Sequence, residues 1–254
     1  MGDLSRYDYA ERLALGGFPE ATRRDGRRRG RWFQSYLTTL VEKVVTQVSG
    51  IERSGEIPRV IRLCAARSGE ELNVTRLANE LGLPPRTLDG YLALLANVFV
   101  FQLIPAWSTN LTGKVISGGS SYGRQRSCEP SLTGMTPARI DDATSPFGQL
   151  LEAFVAMELR LSWSENAATL SHFRDRNGAE VHLVLEHADA RVIGIEVKAA
   201  RSVSSRDTRG RRFLAERLGT RFHAGFVLSC MPEVTPLGEK LTALPIETLW
   251  RAST

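Results

Sequence analysis

Residues 173–198 place the strongest constraint on the fold, because they hold a tight-turn signal followed by two strand-like segments. The dipeptide Asn177-Gly178 is typical of β-hairpin turns, and the residues after it alternate toward an apolar face. Residues 192–197 form a second segment rich in β-branched side chains. This pattern predicts a β-hairpin that belongs to a larger sheet.

The end of this hairpin carries an acid and a base two residues apart, Glu196 and Lys198. On a strand, both side chains leave the same face. A carboxylate beside an ammonium group can hold a hard metal ion and orient a nucleophilic water. The same short pattern also occurs as an exposed pair on an ordinary strand, so a catalytic and a structural interpretation are both open.

Composition sets the class of protein. A chain of 254 residues suggests one or two domains, and its net charge of +5 favours an anionic partner only mildly. Arginine far outnumbers lysine, which is typical of a GC-rich, bacterial-like genome. Three widely spaced cysteines and a polar amino terminus predict a reduced, cytoplasmic protein with no membrane span.

Six arginines lie within residues 23–31, just before a segment with helical apolar spacing at residues 32–48. One interpretation is a phosphate-binding patch, with Arg27, Arg28 and Arg29 as nucleic-acid contacts. The other is a solvated loop that leads into the helix. Pro58 then predicts the start of the next helix.

Residues 73–97 predict a helix-turn-helix. Asn73 can cap the first helix, Gly82 can end it in a left-handed turn, and residues 87–97 form the second helix. Alternating Phe99, Phe101 and Leu103 then predict a wing strand, giving a winged helix. The second helix offers Arg86 and Thr87 to DNA, together with Asp89. With only one basic residue, this helix would bind the phosphate backbone of DNA weakly, so docking to another protein is the alternative.

The remaining segments predict a mixed sheet flanked by helices, in the α/β class. Residues 117–131 lack periodicity and predict a linker or disorder. Helices are predicted at residues 148–161 and 208–218, a further strand is predicted at residues 224–228, and a closing segment spans residues 244–250.

Several fragments, taken in order, resemble the carboxy-terminal half of AAA-family ATPases that carry domain of unknown function 4143. The fragments are Gly16-Gly17-Phe18-Pro19-Glu20, Trp32-Phe33, Tyr36-Leu37, residues 73–95, Trp107-Ser108, Leu151-Glu152-Ala153-Phe154-Val155, Glu158-Leu159, Arg174-Asp175-Arg176-Asn177-Gly178 and Ile195-Glu196-Val197-Lys198. The resemblance implies a winged helix followed by a restriction-endonuclease-like PD-(D/E)XK domain. The P-loop pattern GxxxxGK[ST] is absent from the sequence, so we expect no ATP hydrolysis by this chain.

The resemblance also implies a site. Glu152 on a helix, Glu196 as metal ligand and Lys198 beside the attacking water would be its catalytic residues. His182 stands where the family pattern has a metal-bridging aspartate. Because magnesium prefers oxygen and accepts imidazole reluctantly, this departure weakens a magnesium site and leaves manganese as the alternative. His182 can also be an ordinary half-exposed strand residue.

In the family, the interval around residues 117–131 holds a strand and a helix. A pair of compensating frameshifts over residues 122–131 would explain the loss of pattern there, and the nucleotide sequence tests this hypothesis. The predicted organisation is an amino-terminal segment with a basic loop (1–31), a helical and winged-helix domain (32–116), an irregular linker (117–144) and a nuclease-like domain (145–254).

Two functions of different class follow. The favoured one is a degenerate, non-catalytic nuclease-like module that binds DNA or protein. The alternative is an active metal-dependent DNA nuclease that uses magnesium or manganese. DNA, a separately encoded ATPase or another protein are the candidate partners, and no membrane partner is expected.

Overall fold

The computed structural model describes residues 4–47, 54–67, 72–97, 100–107, 124–127, 135–163, 168–174 and 178–251. Predictions for Phe99, Asn177 and most of the interval 117–131 fall outside these residues. Among the described helices, none is long and apolar enough to cross a lipid bilayer.

The amino-terminal half is helical. Its helices are α1 (Arg6–Leu15), α2 (Pro19–Thr22), α3 (Gly26–Gln47), α4 (Ile57–Ala66), α5 (Val74–Leu81) and α6 (Pro85–Asn97). The strand β1 (Phe101–Ile104) follows and pairs antiparallel with β2 (Arg124–Ser127). Side chains between Ala21 and Val100 form one hydrophobic core.

The helix boundaries follow local capping chemistry. The Asn73 side chain accepts a hydrogen bond from the Arg76 amide at 2.9 Å, and Gly82 ends α5 in the left-handed conformation. Both features confirm the sequence-based prediction. α3, in contrast, begins at Gly26 rather than at residue 32, since the Asp25 carboxylate accepts from the Arg28 amide at 2.9 Å. The arginine run is therefore largely helical, and the prediction of a loop there was wrong.

The carboxy-terminal half is an α/β unit. Its elements are α7 (Pro137–Asp141), α8 (Phe147–Trp163), β3 (Ala168–Arg174), β4 (Glu180–His187), β5 (Val192–Lys198), α9 (Arg209–Leu218), β6 (Phe222–Ser229), β7 (Thr235–Gly238), β8 (Leu241–Pro245) and α10 (Thr248–Arg251). The strand order in the six-stranded sheet is β3-β4-β5-β6-β8-β7. β6 runs parallel to both β5 and β8, and the remaining pairs are antiparallel. The predicted mixed sheet and its hairpin are confirmed.

Each face of this sheet has its own core. One contains residues of α1, α7 and α8 against Leu183, Ile195 and Val197. The other contains residues of α9 and Trp107 against Val181, Val184 and Val192. The helix α1, predicted to belong to a separate amino-terminal segment, thus packs in the core of the sheet.

The interval predicted to be an irregular linker contains β2 and α7. β2 has the sequence Arg-Gln-Arg-Ser, which offers no apolar alternation from which a strand could be predicted. α7 does carry a local sequence signal: Thr136 caps it and Pro137 occupies its first turn.

Candidate functional site

Four predicted residues meet at the end of the β4-β5 pair. Glu152 lies on α8, His182 on β4, and Glu196 and Lys198 on β5. His182 Nδ1 lies 3.3 Å from Glu152 Oε1, and its Nε2 lies 3.3 Å from Glu196 Oε1. Lys198 Nζ lies 3.1 Å from the same Glu196 oxygen. The four side chains therefore form one cluster.

The placement of His182 follows from irregular strand pairing. Between the pairs Ser171–Val184 and Phe173–Val181, two β4 residues lie opposite one residue of β3, which is a β-bulge. The ladder between β4 and β5 ends at Leu183 and Ile195. Beyond that point the Val197 amide donates to His182 Nδ1 at 3.3 Å. The imidazole thus stands between two diverging strands, in contact with carboxylates from α8 and β5.

Two further residues, Asp207 and Arg211, complete the cluster. Asp207 Oδ1 lies 3.5 Å from Lys198 Nζ, and its carboxylate accepts from the backbone amide and hydroxyl of Ser204. Arg211 is fully buried, and its Nη1 lies 3.3 Å from Glu196 Oε2. Its other terminal nitrogen donates to the Asp207 backbone carbonyl. Both oxygens of Glu196 therefore face cationic groups.

Glycines make the space that Arg211 occupies. A Cβ on Gly194 would lie 3.2 Å from the Arg211 Cγ, and one on Gly225 would lie 3.2 Å from its Cδ. The arginine stem therefore crosses the sheet over two positions that lack side chains. A Cβ on Gly210 would lie 1.9 Å from the Glu180 carbonyl oxygen, so this glycine lets α9 approach β4 closely.

Burial and the neighbouring charges shift the pKa values of Glu196 and Lys198 in opposite directions. Burial raises the pKa of Glu196 above its ordinary value, while Arg211 and Lys198 oppose this shift. Burial lowers the pKa of Lys198, but the carboxylates of Glu196 and Asp207 outweigh it and leave that pKa raised. The ammonium of Lys198 is consequently held in its charged form.

The pKa of Asp207 leads to a prediction about acid stability. Burial raises it, but hydrogen bonds from Ser204 and the charge of Lys198 leave it below the ordinary value of 3.8. A carboxyl group whose pKa is depressed by folding stabilises the protein above that ordinary value, and this contribution is lost as pH falls through the folded-state pKa. We expect Asp207→Asn to be less stable than the wild type at pH 6. The difference in melting temperature should shrink steadily below pH 3.8. A difference that is independent of pH would contradict this origin.

The side chains of Glu152, His182 and Glu196, as they are arranged here, do not fit a magnesium or manganese ion. Both Glu196 oxygens are engaged by cations, and His182 fills the gap between the two glutamates. No set of three or more His, Cys, Asp or Glu side chains is placed to bind one metal ion in the described part of the chain. Hard divalent ions require several oxygen ligands, which this cluster would supply only after losing its own ion pairs.

The residues predicted to contact nucleic acid differ from one another in their exposure and in their contacts within the protein. Arg29 donates to the carbonyl oxygens of Ala14 and Arg24, each at 3.2 Å, and so joins α3 to the end of α1. Arg28 lies 3.5 Å from Asp25, and Arg27 is exposed. Arg86 is exposed and Thr87 is half-buried, both in the first turn of α6. Their contacts with nucleic acid stay a prediction.

In comparisons with known proteins, two regions of the chain each match the model of a protein family. Residues 147–249 match domain of unknown function DUF4143, which confirms that part of the resemblance. Residues 6–119 match domain of unknown function DUF8612, which the sequence analysis did not anticipate.

Two mycobacterial relatives were found: the uncharacterized protein Rv2008c of Mycobacterium tuberculosis and the uncharacterized protein Mb2031c of Mycobacterium bovis. Each is 26% identical to this chain over 191 residues, which cover 74% of this chain and 43% of the relative. The chain therefore spans less than half the length of these relatives. No solved structure matched the chain.

Proposed function

We propose that this chain is a non-hydrolysing nucleic-acid-binding module, in which a winged-helix-type region precedes a nuclease-like sheet that has lost its metal site. The observation that carries the proposal is the pairing of Glu196 with Lys198 on one oxygen and with buried Arg211 on the other. A hydrolytic site needs a carboxylate that can accept a metal ion. Here the protein's own cations occupy that carboxylate.

Nucleic acid is the proposed ligand because of the charge at the start of α3. Arg27 and Arg31 are exposed and four residues apart, so they share one side of the helix. The Asp25 carboxylate caps α3 and lies 3.5 Å from Arg28, but the first turn itself holds three arginines and no acidic residue. A bound phosphate would add the negative charge that balances the remaining arginines near this end of the helix dipole. Trp32 and Tyr36, stacked with ring centroids 5.1 Å apart, follow on the same helix.

Two features of the helical region support the proposed winged helix. α4, α5 and α6 share one core, and the antiparallel pair β1-β2 follows them, as a wing would. The side of α6 that would face DNA offers Arg86 and Thr87, so affinity would have to come mainly from other cations.

Cleavage assays test the absence of hydrolysis. We expect no nicking of supercoiled plasmid or branched DNA with either magnesium or manganese, because a metal ion would have to displace Arg211 from Glu196 and leave the guanidinium buried without this partner. Metal-dependent cleavage that Lys198→Ala abolishes, and that the control Lys240→Ala retains, would contradict the proposal. It would instead establish the alternative, an active nuclease, which is favoured by the meeting of Glu152, His182 and Glu196 in one cluster.

A further inference from the structure

Three partly exposed aromatic side chains meet beside the middle of α3, and we call them the aromatic platform. Trp32 and Tyr36 of α3 are stacked, with their ring planes inclined by 11° and their centroids 5.1 Å apart. Phe18, immediately before α2, lies 5.8 Å from the Trp32 ring and 5.2 Å from the Tyr36 ring. Each of the three side chains is half-buried, so part of each ring faces solvent.

The hydrophobic core beneath the platform holds its rings in place. Phe33 is buried, and its ring meets those of Phe18 and Trp32 edge to face, at 5.8 Å and 5.0 Å. Trp32 and Tyr36 also pack against the core of the helical region. Because the rings are already ordered, a flat ligand that stacks on them loses little free energy to the ordering of side chains.

The side of α3 next to the platform is positively charged. Arg28 lies one turn before Trp32, and Arg31 directly precedes it; both arginines are exposed. Arg28 lies 3.5 Å from Asp25, whereas no residue three or four positions from Arg31 is acidic. Residues 26–41 contain no acidic side chain at all. The platform is therefore flanked by a helix surface that attracts anions.

A single-stranded nucleic acid combines the two properties that this surface complements. Its unpaired bases have exposed flat faces that stack on aromatic rings, and its phosphates are attracted to arginine. In a duplex the base faces are already stacked on one another. An acidic peptide supplies the negative charge without a series of flat faces.

We propose that the aromatic platform binds unpaired nucleotides, with bases stacked on Trp32 and Tyr36 and a phosphate at Arg31. This inference rests on the proposed function and names its substrate class, single-stranded rather than double-stranded nucleic acid. It assigns the recognition of bases to rings in the middle of α3 and leaves only the phosphate contact to arginine.

The experiment compares two fluorescein-labelled strands of about 15 nucleotides by anisotropy at about 0.1 M salt, one of oligo-dT and one abasic. The two strands carry the same phosphates, so only stacking distinguishes them. Stacking on one aromatic ring is worth roughly a fivefold to hundredfold gain in affinity per base. Wild-type protein should therefore bind oligo-dT at least about fivefold more tightly than the abasic strand, and more tightly than a duplex of the same length.

Substitutions locate the stacking surface. Trp32→Leu with Tyr36→Leu keeps apolar side chains but removes the two rings, so affinity for oligo-dT should fall to that for the abasic strand. Affinity for the abasic strand itself should not change. Trp250→Leu is the matched control, because it removes a half-buried tryptophan from the α/β unit and should keep the preference for bases. Thermal melting followed by circular dichroism verifies that each variant is folded.

The strand comparison in wild-type protein decides the inference without any variant. If the abasic strand binds as tightly as oligo-dT, or the duplex binds more tightly, the inference is overturned. The proposed function still stands in that case, provided that Arg27→Gln with Arg31→Gln weakens binding. If wild-type protein binds none of these nucleic acids, both are overturned. If poly-glutamate binds as tightly as oligo-dT, the surface takes an acidic protein and the inference is wrong.

Discussion

Replacing Arg211 by methionine is expected to lower the free energy of unfolding by about 3–5 kcal/mol, the usual cost of removing one partner from a buried ion pair. Arg211 is fully buried, and its guanidinium faces Glu196 Oε2 at 3.3 Å. The variant leaves this oxygen buried without its cation. Lys198, which contacts the other oxygen at 3.1 Å, compensates only in part.

A double-mutant cycle separates the ion pair from simple packing. Glu196→Leu alone should also be strongly destabilising, because it leaves the Arg211 charge unpaired. Combining it with Arg211→Met should recover most of the loss, since apolar side chains of similar volume can replace a buried ion pair at little cost. Urea unfolding followed by circular dichroism measures all four proteins.

The neighbouring arginine provides the control. Arg212→Met changes the same side chain at an exposed position and should alter stability by no more than about 0.5 kcal/mol. If Arg211→Met is no more destabilising than Arg212→Met, the ion pair does not hold α9 to the sheet. If the double variant loses the sum of the two single losses, the two side chains are not coupled.

Local signals predicted much of the fold. Asn73 and Gly82 mark the ends of α5 through capping chemistry, which depends only on neighbouring residues. Glu196 and Lys198 were placed on one face from their spacing alone, and their side chains do meet at 3.1 Å. Both predictions depend on residues close in sequence, for which geometry is nearly fixed by the type of secondary structure.

The role of Arg211 was not predicted, because nothing local separates it from Arg209 and Arg212. A weak signal existed: Arg211 lies three residues before Leu214 and seven before Leu218, so it shares the buried side of α9. The space for its stem depends on Gly194 in β5 and Gly225 in β6, and its partner Glu196 lies on β5, 15 residues away in sequence. The contacts of His182 likewise depend on a bulge and on strand divergence, which are tertiary features.

Gly210→Ala is expected to destabilise the protein by about 3 kcal/mol, although alanine is normally preferred to glycine in a helix. The added Cβ would lie 1.9 Å from the Glu180 carbonyl oxygen, a contact that only a shift of α9 can relieve. Gly90→Ala in α6 is the matched control, because nothing lies within 4 Å of its Cβ position. That variant should gain up to about 1 kcal/mol, so the two substitutions have opposite signs.

A shift of α9 would also draw Arg211 away from Glu196, and this consequence can be measured. In a Gly210→Ala protein the ion pair is already weakened, so adding Arg211→Met should cost clearly less than it costs in the wild type. Chemical denaturation of the single and double variants provides the comparison. Strict additivity, or a stabilising Gly210→Ala, would mean that α9 accommodates the methyl group without moving. The close approach of α9 to β4 would then not be what positions Arg211.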